Sequence, residues 1–296
     1  MRGAVIPITM VPGDSPIHKI APLPKLVWSF GVLIISFMTR NPAILGAIIL
    51  AGIVLTTIAQ IWKPMMKVMI ILFPIYVITV FLQSIAPAFP KPWNPIIGFG
   101  PFTIYQEGIY SGITMFGRAL GMTIFAMVTI MTTHPSDLFS SLEKIGMPYV
   151  LNFILTVTLQ LIPILQREFA TVLSAQKSRG MKGTGFGAVL PSMVPVFVGA
   201  IERVQQLSIS LESRAFGSSG HKTSYRNVVM RAKDYVIMAT GFLAVGATAY
   251  WIIVDKSLDW SRTMTFSPPL ALTLVIISMA IFATFVSIAL IKILKA

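Results

Sequence analysis

Arg179 and Arg214 have the surroundings of a recognition site. Each follows a serine and precedes a small residue, in Ser178-Arg179-Gly180 and Ser213-Arg214-Ala215. An arginine presents a permanent planar cation whose donor fork matches a carboxylate or phosphate, and a small neighbour lets a partner approach. Such groups grip a partner; they do not break bonds. The same triplets also read as plain helix ends, because an arginine near a helix C-terminus gains ~0.3–1 kcal/mol from the helix dipole and glycine is an ordinary stop. Patterns that would carry catalysis are missing from the sequence. There is no G-x-x-x-x-G-K-[ST] loop; Gly220-His221-Lys222-Thr223 puts a histidine between the glycine and lysine that such a loop sets side by side. Neither H-E-x-x-H nor G-x-S-x-G occurs, and His18, His134 and His221 fall outside the apolar runs. With no cysteine, disulfides, thiolate metal sites and cysteine nucleophiles are excluded. A non-catalytic chain without cofactor or metal site is expected.

The elements that must carry the two arginines belong to a bilayer protein. Apolar residues make up 55% and charged residues 11% of the chain, its mean hydropathy is +0.81, and soluble domains carry roughly 25% charged residues. Apolar runs near the ~20 residues that cross a bilayer predict spans close to Lys25–Thr39, Pro42–Trp62, Met65–Ser84, Gly108–Thr133, Asp234–Val254 and Pro269–Ile291. The first is short. The fold class is therefore all-α, a polytopic helical membrane protein with about six spans. An N-terminal membrane region covers 1–133, a cytoplasmic amphipathic region 134–233 and a C-terminal membrane region 234–296. Met1 to Pro24 holds prolines and Gly13 in place of a compact apolar run, so no signal peptide is expected.

The net charge of +13 raises nucleic acid as a partner, and its distribution removes it. Six spans put both termini on one side. Arg40, Lys91, Lys256 and Arg262 fall on the opposite side, and the other basic residues, apart from Arg118, fall on the side of the termini. By the positive-inside rule the termini and the His134–Lys233 segment are cytoplasmic. The charge reports orientation in a membrane, with lipid as a partner and no nucleic acid.

Between His134 and Lys233 the apolar residues gather on faces. Val150–Leu165 contains Asn152, Gln160 and Pro163 and falls short of a span; crossing alone, it would carry the arginines to the far side. A shallow or bundle-packed helix is expected there. Leu165, Phe169, Val172 and Leu173 continue as a helical stripe, and Gln176, Lys177 and Arg179 lead to Gly180. Gly183-Thr184-Gly185-Phe186-Gly187 reads as a break, after which Val194, Phe197, Val198, Ile201, Val204, Ser208 and Leu211 form a second stripe ending at Arg214. Within the predicted fourth span, Arg118 is costly in lipid, ~2.5–3.5 kcal/mol on the mildest scale, so it should face protein or water. A structural role at a buried acceptor or helix end is expected, with a place on a transport pathway as the alternative. The same span carries Gly108 and Gly112, then Gly117 and Gly121, and a helix turning 100° per residue points these pairs at different neighbours. Pro87, Pro90, Pro92, Pro95 and Pro101 ahead of it predict a stiff connector.

The text around the arginines resembles one family. Thr132-Thr133-His134-Pro135-Ser136-Asp137-Leu138, Gly146-Met147-Pro148, Pro163, Ala175-Gln176-Lys177-Ser178-Arg179-Gly180 and Leu211-Glu212-Ser213-Arg214-Ala215 are similar to the transmembrane coupling (T) component of energy-coupling-factor transporters. Asp14-Ser15-Pro16-Ile17-His18-Lys19 and Pro24-Lys25-Leu26 resemble that family's lead-in to its first span. The resemblance implies the scaffold of an ATP-driven importer of a vitamin or transition-metal ion in a prokaryotic cell membrane. It implies that Ser178, Arg179, Gly180, Ser213, Arg214 and Ala215 end coupling helices that dock on two cytoplasmic ABC-type ATPase subunits, which bind the ATP. It also implies a small membrane-embedded subunit that binds the substrate. Alanine is usual in the first place of each triplet and glycine in the third; Ser178, Ser213 and Ala215 depart from that, small for small. Contact with the substrate-binding subunit falls to the apolar faces at Leu165, Phe169, Val172, Val194, Val198 and Ile201. Two other readings stay open: an ABC-type permease that forms the substrate pathway itself, and a membrane-anchored adaptor for a cytoplasmic ATPase.

Overall fold

The computed structural model describes residues 10–88, 94–99, 102–180, 186–218, 220 and 230–254. The chain forms two compact units, residues 1–135 with 229–296, and residues 136–228. Eight helices and one hairpin occur among the described residues: α1 Pro22–Met38, α2 Pro42–Ala59, α3 Trp62–Ile85, β1 Pro95–Phe99, β2 Phe102–Tyr105, α4 Gln106–Thr132, α5 Pro135–Glu143, α6 Tyr149–Ser178, α7 Phe186–Ser213 and α8 Ala232–Val254. Five of them, α2, α3, α4, α6 and α8, are long and apolar enough to cross a membrane, while α1 has 17 residues. The predicted span Pro269–Ile291 lies outside the described residues.

In the first unit α4 is the central helix, packed against α1, α2 and α3, and α8 packs on α1. Glycine sets these approaches. A Cβ on Gly108 would stand 2.5 Å from the Gln83 carbonyl oxygen, and one on Gly112 would stand 3.1 Å from the Val80 backbone, so this pair lies against α3. Gly117 and Gly121 face Leu45 and Ile48 of α2. Where the ends of these helices meet, buried charges close them. Lys25 is 8% exposed, and its Nζ donates to the Thr132 carbonyl at 3.0 Å and to Thr133 Oγ1 at 3.3 Å. A cation there meets the negative end of α4. Asp234 accepts from the Ala21 amide at 3.2 Å and the Arg231 amide at 2.9 Å, so one carboxylate caps the starts of both α1 and α8.

The proline-rich connector contains a feature that the sequence reading did not foresee. Pro95–Phe99 and Phe102–Tyr105 pair as an antiparallel hairpin with an irregular register between Pro95 and Ile97. Glu107, in the first turn of α4, holds it by accepting from the Asn94 amide at 3.0 Å and from Asn94 Nδ2 at 2.8 Å. Residues 89–93, 100 and 101 of this connector lie outside the described set.

The second unit is built from α5, α6 and α7. Two boundaries differ from the sequence reading. Where the sequence reading expects a shallow or bundle-packed helix over Val150–Leu165 that falls short of a span, α6 runs unbroken through Pro163 to Ser178, and by length and composition it qualifies as a span. Proline removes one N–H and crowds the carbonyl four residues back, which bends a helix without always ending it. In the predicted break, Gly183, Thr184 and Gly185 lie outside the described residues, whereas Phe186 and Gly187 already belong to α7, which also tolerates Pro191 and Pro195.

Candidate functional site

All three helices of the second unit end the same way, on a residue with a left-handed backbone: Gly146 (φ 108°), Gly180 (φ 89°) and Ala215 (φ 53°). At the end of α7 the Ala215 amide donates to the Glu212 carbonyl at 2.9 Å and the Phe216 amide to the Leu211 carbonyl at 2.9 Å. These are the two bonds of a Schellman closure, with Arg214 at the last half-helical position. At the end of α6 the Gly180 amide donates to the Lys177 carbonyl at 3.1 Å, again directly after the arginine. The third residue of each triplet is therefore a reversal point. It closes the helix and leaves the preceding arginine at its tip.

Both arginines are exposed, and neither side chain has an ion-pair or hydrogen-bond partner among the described residues. The serines before them serve their own helices: Ser178 Oγ donates to the Ser174 carbonyl at 3.1 Å and Ser213 Oγ to the Ser210 carbonyl at 2.9 Å. Each tip thus presents an arginine that is unpaired among the described residues.

Two contacts set the tips in relation to each other. Glu168 of α6 pairs with Arg203 of α7, and its hydrogen bond raises the Arg203 guanidinium further above its ordinary range. Phe216, just beyond α7, packs its ring at a tilt against Phe153 and Tyr149 near the start of α6, at centroid distances of 4.5 and 5.9 Å. A contact late in α6 with α7, and another early in α6 with the end of α7, require the two helices to run antiparallel. Their arginine tips consequently sit at opposite ends of the pair. From Phe153, beneath the α7 tip, to Arg179 is roughly 39 Å of helix at about 1.5 Å per residue. Glu143 of α5 takes the Asn152 side-chain amide, bracing the start of α6, and Asn152 is 7% exposed.

The other candidate residues divide by exposure. Val194 (65%), Val198 (52%) and Ile201 (57%) lie open on α7 in one stretch with Leu190, Phe197 and Val204. Leu165, Phe169 and Val172 on α6 are half-buried. Arg118 belongs to the first unit, where its Nη2 donates to the carbonyl of Thr39, the cap of α1, at 3.0 Å and its guanidinium lies 5.6 Å from the Phe37 ring centroid. Sequence reasoning missed Glu168, Arg203 and Phe216. Only Phe216, an aromatic residue directly after a helix end, left a signal, since a C-terminal closure commonly brings an apolar residue into that place.

Comparison with known proteins agrees with this architecture. Residues 13–225 match the family model CbiQ, described as a cobalt transport protein. Among curated relatives, the energy-coupling factor transporter transmembrane protein EcfT of Leuconostoc gelidum subsp. gasicomitatum is 30% identical, over 79% of this chain and 93% of its own. The proteins of the same description from Bacillus selenitireducens and Bacillus subtilis are 29% and 28% identical, covering 93% and 91% of their own lengths. With a family match along most of its length and five helices, among the described residues, long and apolar enough to cross a membrane, this chain is a multi-pass membrane protein that belongs to the CbiQ family, alongside the EcfT transmembrane proteins.

Proposed function

We propose that the chain is the transmembrane scaffold of an ATP-driven energy-coupling-factor importer, and that α6 and α7 are its coupling helices. Arg179 and Arg214 each dock on one of two cytoplasmic ABC-type ATPase subunits, which bind and hydrolyse the ATP. The termini and the second unit face the cytoplasm of a prokaryotic cell. A separate small membrane subunit carries the substrate, a vitamin or transition-metal ion, and rests on the apolar faces at Leu165, Phe169, Val172, Val194, Val198 and Ile201. The observation that carries the reading is the pair of exposed arginines, unpartnered among the described residues, at opposite ends of one braced helix pair. Two separated cations suit two separate partners, and a rigid helix held at its tip follows the subunit that holds it.

The test is capture of the ATPases by the full-length chain. Removing one partner of a buried interfacial charge pair typically costs about 2–5 kcal/mol. Arg179→Glu and Arg214→Glu should each weaken capture, and the double variant should abolish it. Membrane insertion should stay normal throughout. Capture equal to wild type in both single variants would reduce the triplets to helix ends.

A further inference from the structure

We propose that the cleft between α1, α2 and α4 binds the acyl chain of an anionic phospholipid whose headgroup is held by Lys19. This cleft has a volume of about 410 Å³, within the range of ligand cavities. Its walls come from Ile17 and Ile20 ahead of α1, Trp28 of α1, Val54 and Leu55 of α2, and Val128 of α4. The polar groups in the wall are already engaged. Ser29 Oγ pairs with Thr129 Oγ1 at 2.6 Å and donates to the Phe125 carbonyl at 3.3 Å. Lys25 Nζ is held at the end of α4, and Trp28 Nε1 donates to the Ile237 carbonyl at 3.1 Å. The lining therefore offers an occupant apolar contact, and α2 and α4 are long and apolar enough to cross a membrane, so the apolar molecule at hand is a lipid tail.

A tail in bilayer is already among groups as apolar as leucine, so moving into this cleft gains packing but no hydrophobic transfer energy. Preference among lipids must then come from the headgroup. Lys19 stands between the lining residues Ile17 and Ile20 and is exposed. Lys63 and Lys67 are exposed on the first turns of α3, where Ile61 and Met65 belong to the same buried apolar cluster as Ile17. Asp14 is the exposed carboxylate on the Lys19 segment, leaving three lysines to one acid among these groups. A lysine near a headgroup plane favours an anionic lipid by roughly fivefold.

Trp28 supplies the readout. In a full-length chain with Trp62, Trp93, Trp251 and Trp260 replaced by phenylalanine, the remaining indole reports on vesicles of phosphatidylcholine that hold a minor fraction of lipid brominated on its acyl chains. Brominated phosphatidylglycerol should quench Trp28 several-fold more strongly than brominated phosphatidylcholine at equal mole fraction. Lys19→Gln should reduce that preference roughly fivefold. Ala51→Phe, which fills the cleft from α2, should bring the two lipids level; Ala51→Met serves if the larger ring prevents folding. Native mass spectrometry of the chain with its tryptophans intact, from mixed micelles, gives an independent measure, with phosphatidylglycerol retained roughly fivefold less by Lys19→Gln than by wild type. Equal quenching by the two lipids, quenching by neither, or a preference that survives both Ala51 variants would each overturn the proposal.

Discussion

Ala215 holds a backbone conformation that suits glycine, and replacing it measures how firmly the α7 tip is closed. Its φ of 53° is in the left-handed region, which costs an L-residue about 1–2 kcal/mol. Two 2.9 Å hydrogen bonds, from the Ala215 and Phe216 amides, outweigh that cost in the folded chain. Glycine would remove the strain, while its extra freedom in the open state would return about 0.4–1 kcal/mol. Ala215→Gly should therefore stabilise the closure by a net ~0.5–1 kcal/mol, which is about two- to fivefold slower amide exchange at Ala215 and Phe216. Gly180 gives the mirror experiment. Its φ is 89° and nothing lies within 4 Å of where a Cβ would stand, so Gly180→Ala meets no neighbour and acts through the backbone alone. Exchange around Gly180 should quicken by a similar factor. Hydrogen exchange read by mass spectrometry on the detergent-solubilised chain resolves both peptides. If the two substitutions shift exchange in the same direction, or Ala215→Gly speeds it, backbone strain does not govern the tips.

Further expectations concern packing, buried charge and coupling. Gly108→Ala would drive a Cβ to 2.5 Å from a backbone oxygen of α3, whereas Gly46 has nothing within 4 Å; the former should lower thermal stability by the ~1–3 kcal/mol typical of overpacking and the latter should not lower it. Lys25→Met removes the cation held at 3.0 Å from the Thr132 carbonyl, and thermal unfolding should register about 1.5–3 kcal/mol for the lost charge-assisted bonds. Phe169→Asp and Val198→Asp should uncouple reconstituted uptake while ATPase capture at the arginine tips persists. Unimpaired uptake in either would show that these faces do not touch the substrate-binding subunit.

Features that depend on local geometry were legible in the sequence. Fixed helical pitch is enough to aim Gly108 and Gly112 at one neighbour and Gly117 and Gly121 at another, and the structure places α3 and α2 there. Gly180 reads as a helix stop because its lack of a Cβ suits a left-handed turn. Ala215 carries no such sign, since its conformation is imposed by the closure around it. Lys25 and Asp234 resemble ordinary interfacial charges in the sequence, and only the meeting of α1 with α4 and α8 buries them. Glu168 and Arg203 sit on polar faces of separate helices, and their pairing depends on an antiparallel alignment that no local pattern encodes. The hairpin was hidden by the prolines around it, which discourage strands except at edges and turns. Continuity of α6 through Pro163 was not legible, because a proline that bends a helix and one that ends it look alike in sequence.

The brace between α6 and α7 has a mechanical consequence. Glu168 with Arg203 and Phe153 with Phe216 join the helices at two separate points, and bodies pinned twice cannot scissor about either pin. Together they behave as a beam with a cation at each extremity. Measured from the Glu168–Arg203 pin, the two arms to Arg179 and Arg214 are equal, roughly 16 Å each at about 1.5 Å per residue. Tilting such a beam about its middle lowers one extremity by as much as it lifts the other, so whatever grips one end is informed, in opposite sense, of movement at the other.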